Sequence, residues 1–186
     1  MTRAGFVAII GAPNAGKSTL TNRLVGAKVS IVTQKVQTTR FPVRGVAMAG
    51  ESQIVLVDTP GIFAPRRRLD RAMVRSAWGG AEEADTIVHL VDAQAELAAA
   101  EPGAKAADRR AAADVASIIE GLKGAGKQAI LAINKIDGLK RDRLLGLAQK
   151  LFDTGVYTEV FMISAADGSG VDDIMGTEVM QCVLDF

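Results

Sequence analysis

The chain has 186 residues, of which 48% are hydrophobic, enough for one domain with a substantial core and too few for two full domains. Its 22 Lys and Arg residues balance 21 Asp and Glu residues, so a net charge of +1 gives no compositional sign of a nucleic-acid binder. The single cysteine, Cys182, excludes an internal disulfide and predicts a reduced, cytoplasmic protein. No uncharged apolar stretch reaches the length of a transmembrane segment, which predicts a soluble chain.

Short apolar runs rich in Val and Ile alternate with segments of helical spacing along the chain. Near-continuous apolarity is typical of strands that are buried on both faces of a parallel sheet. The strands predicted in this way are residues 6–10, 54–57, 86–91, 129–133 and 159–163. Apolar residues spaced three and four apart predict helices at residues 17–25, 69–78, 112–122 and 144–152.

One connection departs from this alternation. Residues 41–49 and 52–57 are separated only by Gly50-Glu51, which predicts an antiparallel hairpin. The predicted fold is therefore α/β: a mostly parallel sheet of about six strands, with one antiparallel edge strand and helices on both faces. The alanine-rich stretch 93–113 is predicted to be a surface loop that leads into a helix.

The most specific motif lies between the first predicted strand and the first predicted helix. The run GAPNAGKS, residues 11–18, fits the pattern G-x-x-x-x-G-K-[ST] and is called here the phosphate loop. Its glycines let backbone N–H groups converge on phosphate oxygens at the positive end of a helix. Lys17 supplies a charge for the β- and γ-phosphates, and Ser18 supplies a hydroxyl for Mg²⁺. The predicted phosphate-binding residues are Gly11, Ala12, Pro13, Asn14, Ala15, Gly16, Lys17, Ser18 and Thr19.

A second motif, Asp58-Thr59-Pro60-Gly61, follows the predicted strand 54–57. Ligands of α/β sheets bind at the carboxyl ends of strands, so Asp58 should face the phosphate loop and hold Mg²⁺ through a water. A helix cap is the alternative role for an isolated Asp. Gly61 lets its N–H approach the γ-phosphate. The next residue, Ile62, can neither orient nor deprotonate water, so positioning and electrostatics are expected to carry the chemistry.

The nucleotide base is indicated by the run NKID at residues 134–137, after the strand 129–133. The Asp137 carboxylate can accept from both N1–H and the 2-amino group of guanine. Adenine lacks both donors, and a site that loses such partners rejects the wrong ligand by about 10⁴-fold, which favours GTP over ATP. Lys135 can lie along the base, Asn134 can connect to the phosphate loop, and the run SAA offers a backbone N–H to guanine O6. The predicted base-binding residues are Asn134, Lys135, Asp137, Ser164, Ala165 and Ala166.

Together, the motifs GAPNAGKS, QTTR, DTPG, NKID and SAA resemble the set found in translation-factor-related GTPases, within them the group of Era, TrmE and Der. The phosphate loop and the run SIVTQKVQTTR, residues 30–40, are most similar to the Era family, and the resemblance extends from about Gly5 to Asp173. It implies a P-loop NTPase G domain that binds GTP or GDP with Mg²⁺ and hydrolyses GTP as a molecular switch. It further implies that Thr38 or, preferably, Thr39 reaches Mg²⁺ and the γ-phosphate. The implied metal ligands are Ser18, Thr39 and Asp58, and the implied catalytic residues are Asn14, Lys17, Thr39 and Gly61.

The resemblance also implies features beyond the nucleotide site. Asn14 corresponds to a position that holds K⁺ beside the phosphates, which predicts slow, K⁺-stimulated hydrolysis. The implied partners of the full-length protein are the small ribosomal subunit and its rRNA, for a cytoplasmic monomer in which peripheral membrane contact stays open. We expect a G domain at 1–175 and an atypical or truncated tail at 176–186, without the RNA-binding KH domain of the family. The alternatives are a nucleotide-dependent binding module with negligible turnover, or a Der- or TrmE-type GTPase.

Three further features are predicted to be structural. Arginines 66–68, with Arg71 and Arg75, are expected to form a solvated helix start in preference to a contact with RNA or the ribosome. His89, inside an apolar strand, is expected to pack in the core, and Trp78 is expected to pack in the core or between a helix and the sheet.

Overall fold

The computed structural model describes residues 4–26, 43–49, 52–57 and 78–176. The strands in these ranges are β1 (Ala4–Gly11), β2 (Val43–Ala49), β3 (Ser52–Val57), β4 (Thr86–Asp92), β5 (Ala129–Asn134) and β6 (Tyr157–Met162). The helices in the same ranges are α1 (Lys17–Val25), α2 (78–83), α3 (Ala93–Ala99), α4 (Ala106–Ala125), α5 (Arg141–Phe152) and α6 (Val171–Met175).

The strands form one six-stranded sheet in the order β2-β3-β1-β4-β5-β6. β2 pairs antiparallel with β3 at the edge of the sheet, and the other four pairings are parallel. The predicted α/β fold, with its mostly parallel sheet and its hairpin, is confirmed. β1 lies between β3 and β4, so the strand order changes direction at β1: β3 and β2 lie on one side of it, and β4, β5 and β6 lie on the other. This arrangement places a ligand crevice at the carboxyl ends of the central strands.

Both faces of the sheet are covered by apolar side chains. Along β4, Ile87 and Val91 pack on one face with residues of α4 and α5, while Val88 and Leu90 pack on the other with Leu20 of α1. Alternate residues of one strand therefore enter two different core clusters. This double burial explains why the central strands are continuously apolar in sequence. No helix in the described part of the chain is both long and apolar enough to cross a membrane.

The prediction of a surface loop at 93–113 is wrong for most of that stretch. Residues 93–99 form α3 and α4 begins at residue 106, so only a short connection separates two helices. Asp92 caps α3 by accepting the Ala95 N–H at 3.0 Å, and Ala93 and Ala95 are buried. Alanine is the strongest helix former and its small side chain permits close packing. Repeated alanines therefore indicated a helix here.

His89 and Trp78 are packed as predicted. His89 is fully buried, and its Nδ1 lies 2.7 Å from the hydroxyl of Tyr157 on β6. Burial lowers the pKa of His89 to about 3, so the ring is neutral. Trp78 packs on α4 at Gly121, where a Cβ atom would come within 2.3 Å of the indole ring. The rest of the predicted helix 69–78, the arginine cluster and Cys182 lie outside the described residues.

Candidate nucleotide-binding site

The phosphate loop leaves the carboxyl end of β1 and enters α1, and its two motif glycines are fixed by close contacts. A Cβ at Gly11 would lie 2.6 Å from the carbonyl oxygen of Leu90 on β4. Gly16 has a φ of 105°, and a Cβ there would lie 2.4 Å from Nδ2 of Asn134. Larger residues at either position would force the loop away from β4 or β5. The glycines thus hold the loop against the strands that carry the rest of the site.

Lys17 places its charge inside this loop. Its Nζ donates to the carbonyl oxygens of Gly11 at 3.1 Å and Ala12 at 2.8 Å. Burial lowers the pKa of Lys17 to about 8, so most of the amine is still protonated at neutral pH. A cation at the start of a helix suits a polyphosphate ligand. The open cleft in front of it has a volume of about 400 Å³ and is lined by Asn14, Gly16, Lys17, Ser18, Thr19 and Lys135.

Asn134, at the end of β5, connects two loops of the site. Its side chain is buried, and Nδ2 donates to the carbonyl oxygen of Ala15 in the phosphate loop at 2.9 Å. Its Oδ1 accepts the backbone N–H of Ala165 at 2.9 Å. Ala165 belongs to the segment 164–166, called here the guanine loop. The predicted connection from Asn134 to the phosphate loop is confirmed, and it extends to the guanine loop.

Lys135 crosses the crevice from β5 toward β1 and β4. Its Nζ donates to the carbonyl oxygen of Asn14 at 2.8 Å and to Oδ2 of Asp92 at 2.6 Å. Asp92 is a site residue that belongs to none of the sequence motifs, although it follows the predicted strand 86–91 in the same way that Asp58 follows 54–57. Its carboxylate both caps α3 and forms an ion pair with Lys135. Asp92 therefore fixes the lysine that holds Asn14.

Asp137 is exposed at the opening of the crevice, next to the guanine loop. The hydroxyl of the buried Ser164 donates to Oδ2 of Asp137 at 3.2 Å, and Gln94 donates to its carbonyl oxygen at 3.4 Å. The structure thus brings the segment 134–137 and the guanine loop together, as the motif order predicts. A carboxylate and backbone groups converge at one end of the crevice, and the phosphate loop occupies the other.

The predicted metal ligands are only partly within the described residues. Ser18 lies at the start of α1 and lines the cleft, and its hydroxyl is the type of oxygen ligand that Mg²⁺ prefers. Residues 4–26, 43–49, 52–57 and 78–176 contain no cluster of three or more His, Cys, Asp or Glu that could hold a metal by itself. The predicted site residues outside the described ranges are Thr38, Thr39, Asp58, Thr59, Pro60 and Gly61, together with Ile62.

This geometry, in which one asparagine joins a phosphate loop to a guanine loop at the carboxyl ends of parallel strands, defines the class of P-loop GTPase G domains. A family model described as "50S ribosome-binding GTPase" matches residues 6–135. That match covers more than half of the 186 residues, and the chain belongs to this family of GTPases.

The relatives and one solved structure point to Era within this class. GTPase Era of Caulobacter vibrioides is 72% identical over 173 residues, which are 93% of this chain and 55% of that protein. GTPase Era of Maricaulis maris is 62% identical over 92% of this chain and 55% of its own length. A crystal structure of Era with MgGDPNP and nucleotides 1506–1542 of 16S ribosomal RNA has a TM-score of 0.72 and 36% identity, over 97% of this chain and 57% of that chain. The predicted resemblance to Era and the predicted GTPase class are confirmed, and this chain spans about half the length of these relatives.

Proposed function

We propose that this cleft binds GTP and GDP with Mg²⁺ and hydrolyses GTP to GDP and phosphate, so that the chain acts as a molecular switch. The observation that carries this proposal is the double hydrogen bond of Asn134, because it couples the phosphate loop to the guanine loop. Lys17 and the backbone N–H groups at the start of α1 hold the phosphates. Ser18, with Thr39 and Asp58, would hold Mg²⁺, and the ion would supply positive charge against the phosphate oxygens.

At the other end of the cleft, Asp137 accepts from N1–H and the 2-amino group of guanine, and a backbone N–H of the guanine loop donates to O6. Lys135 is held by Asp92 and Asn14, which orients its side chain beside the base. With Ile62 after Gly61, this chain has no glutamine there to orient water. Hydrolysis therefore depends on preorganised charge around the phosphates, and we expect it to be slow without a partner.

Single-turnover hydrolysis tests this proposal. With the chain in excess over GTP and Mg²⁺ present, we expect bound GTP to be converted to GDP and phosphate. A nucleotide-dependent binding module would instead return the GTP intact, and that result would sink the enzymatic part of the proposal. Lys17→Ala, purified in the same way, controls for contaminating phosphatases because it removes the cation of the phosphate loop.

Asn14 is the residue that we propose to hold K⁺ beside the phosphates. It is exposed, lines the cleft and has a φ of 65°, and its carbonyl oxygen is fixed by Lys135. A cation at this position would compensate charge that other GTPases neutralise with an arginine. We expect hydrolysis to be on the order of tenfold faster in K⁺ than in Na⁺, and this difference to disappear in Asn14→Ala. Equal rates in the two salts for the unmodified chain would show that this role is wrong.

The ribosomal role is proposed for the full-length protein. The family description names the 50S ribosome, whereas the Era structure contains 16S ribosomal RNA of the small subunit. We follow the second, because relatives at 72% and 62% identity are all named GTPase Era. We therefore propose that a cytoplasmic parent protein assists small-subunit assembly through rRNA contacts. In this proposal the chain contributes a monomeric G domain at 1–175.

A further inference from the structure

Arg23 contacts the guanine loop from α1, and it was not among the residues that the sequence motifs indicated. Its Nε donates to the carbonyl oxygen of Ala165 at 3.3 Å. Its Nη2 donates to the carbonyl oxygen of Ala166. One guanidinium therefore binds two consecutive backbone carbonyls. A planar group with several fixed donors is suited to this geometry, and hydrogen bonds from a charged donor are stronger than neutral ones.

The backbone beyond the guanine loop is folded against the same guanidinium. Gly168 has a φ of 92°, and a Cβ there would lie 3.5–3.7 Å from Nη1, Cζ and Cδ of Arg23. The turn is closed by its own bonds, since the N–H of Gly168 donates to the Ser164 carbonyl at 2.8 Å and the N–H of Ser164 donates to the Ser169 carbonyl at 2.9 Å. The turn is thus a compact unit that rests on Arg23.

Two side chains bind the backbone on either side of the Cα atom of Ala165, one at each of the two peptide groups that this residue joins. Asn134 accepts the N–H of Ala165, and Arg23 donates to its carbonyl oxygen. Arg23 lies six residues after Lys17 on α1, about 9 Å further along the helix axis. A groove of about 480 Å³ beside it shares Thr19 with the phosphate cleft and is lined by Thr19, Asn22, Arg23, Gly26 and Ala165.

We propose that Arg23 is a positioning residue for guanine recognition. It fixes the guanine loop, and with it the backbone donor to guanine O6, relative to the helix that begins at the phosphate loop. The base and the phosphates are then held at a constant separation by one short helix. This proposal rests on the proposed function, because it concerns the same nucleotide site.

Arg23→Gln in the full chain tests this role with three nucleotides. GDP serves as the reference. 6-thio-GDP replaces O6 by a larger and weaker acceptor but keeps both donors to Asp137, whereas IDP keeps O6 and lacks the 2-amino group. We expect the unmodified chain to prefer GDP over both analogues. In Arg23→Gln, the preference for GDP over 6-thio-GDP should fall by about fivefold, while the preference for GDP over IDP is retained.

Arg109→Gln is the matched control. Arg109 lies on α4, is also an exposed arginine, and donates to the backbone carbonyl oxygen of Ala104. This substitution should leave all three affinities unchanged. Arg23→Lys, which retains the charge but has no planar fork, should give an intermediate loss and serves if the Gln variant does not fold. A uniform weakening of all three nucleotides, no change in either variant, or no preference of the unmodified chain for GDP over 6-thio-GDP would overturn the proposal. Equal affinity of the unmodified chain for GDP and ADP would overturn the proposed function itself.

Discussion

Asp137→Asn is expected to lower the affinity for GTP and GDP by about 10⁴-fold and to shift the preference to xanthine nucleotides. The carboxylate of Asp137 presents acceptors to two donors of guanine. The amide in the variant presents an NH₂ group to those same donors, so at least one pairing becomes donor against donor. Xanthine carries a carbonyl oxygen where guanine has its 2-amino group, and the amide can donate to that oxygen. The change therefore inverts one hydrogen bond and leaves the phosphate contacts intact.

The measurement is the dissociation constant of GDP, XDP and ADP for both proteins. Asp153→Asn is a suitable control, because Asp153 is another exposed carboxylate that accepts a side-chain hydrogen bond, from Gln149 at 2.6 Å, and it lies directly after the end of α5. We expect this control to bind like the unmodified chain. Unchanged GDP affinity in Asp137→Asn, or ADP binding as tight as GDP binding, would remove the basis for assigning guanine specificity to residue 137.

The parts of this molecule that could be predicted from the sequence are those in which neighbouring residues along the chain form a recognisable motif or apolar pattern. The phosphate loop, the strands and the segment 134–137 each occupy one continuous run of the sequence. Arg23 and Asp92 have no such local signal. The Arg23 contact joins residues 142 positions apart, and the Asp92–Lys135 ion pair joins residues 43 positions apart. Such pairs become visible only once the strand order is known.

The alanine-rich stretch shows a different reason for a wrong prediction. Low complexity is typical of loops, but alanine has the highest helix propensity and no side-chain entropy cost. The side-chain cap that starts α3 was also present in the sequence as Asp92, immediately before the first alanine. A polar cap followed by repeated alanines predicts a helix. A low-complexity composition is by itself no evidence against a helix.

Asn134→Asp is expected to weaken the binding of every nucleotide on the order of 100-fold and to lower the free energy of unfolding by about 3 kcal/mol. The substitution preserves shape and keeps the acceptor for the Ala165 N–H. It replaces the donor to Ala15 with a carboxylate oxygen, which then faces a carbonyl oxygen across 2.9 Å. Asn134 is 2% exposed, and the Nδ2 position is only 2.4 Å from where a Cβ on Gly16 would lie. The carboxylate oxygen at that position therefore faces an acceptor where the amide supplied a donor, at a site that is buried.

Gln149→Glu is the matched control, because it also replaces an amide donor to an oxygen by a carboxylate, at an exposed position on α5. In water the repulsion is screened, so we expect a stability change within about 0.5 kcal/mol and unchanged GDP affinity. For Asn134→Asp and Gln149→Glu, chemical denaturation measures the free energy of unfolding, and titrations with GDP and XDP measure the affinities. Asp137→Asn should lose affinity for GDP and gain affinity for XDP. Asn134→Asp should lose affinity for both nucleotides, because it separates the two loops that hold opposite ends of the nucleotide. Retention of full GDP affinity in Asn134→Asp would mean that the two loops are positioned independently of this asparagine.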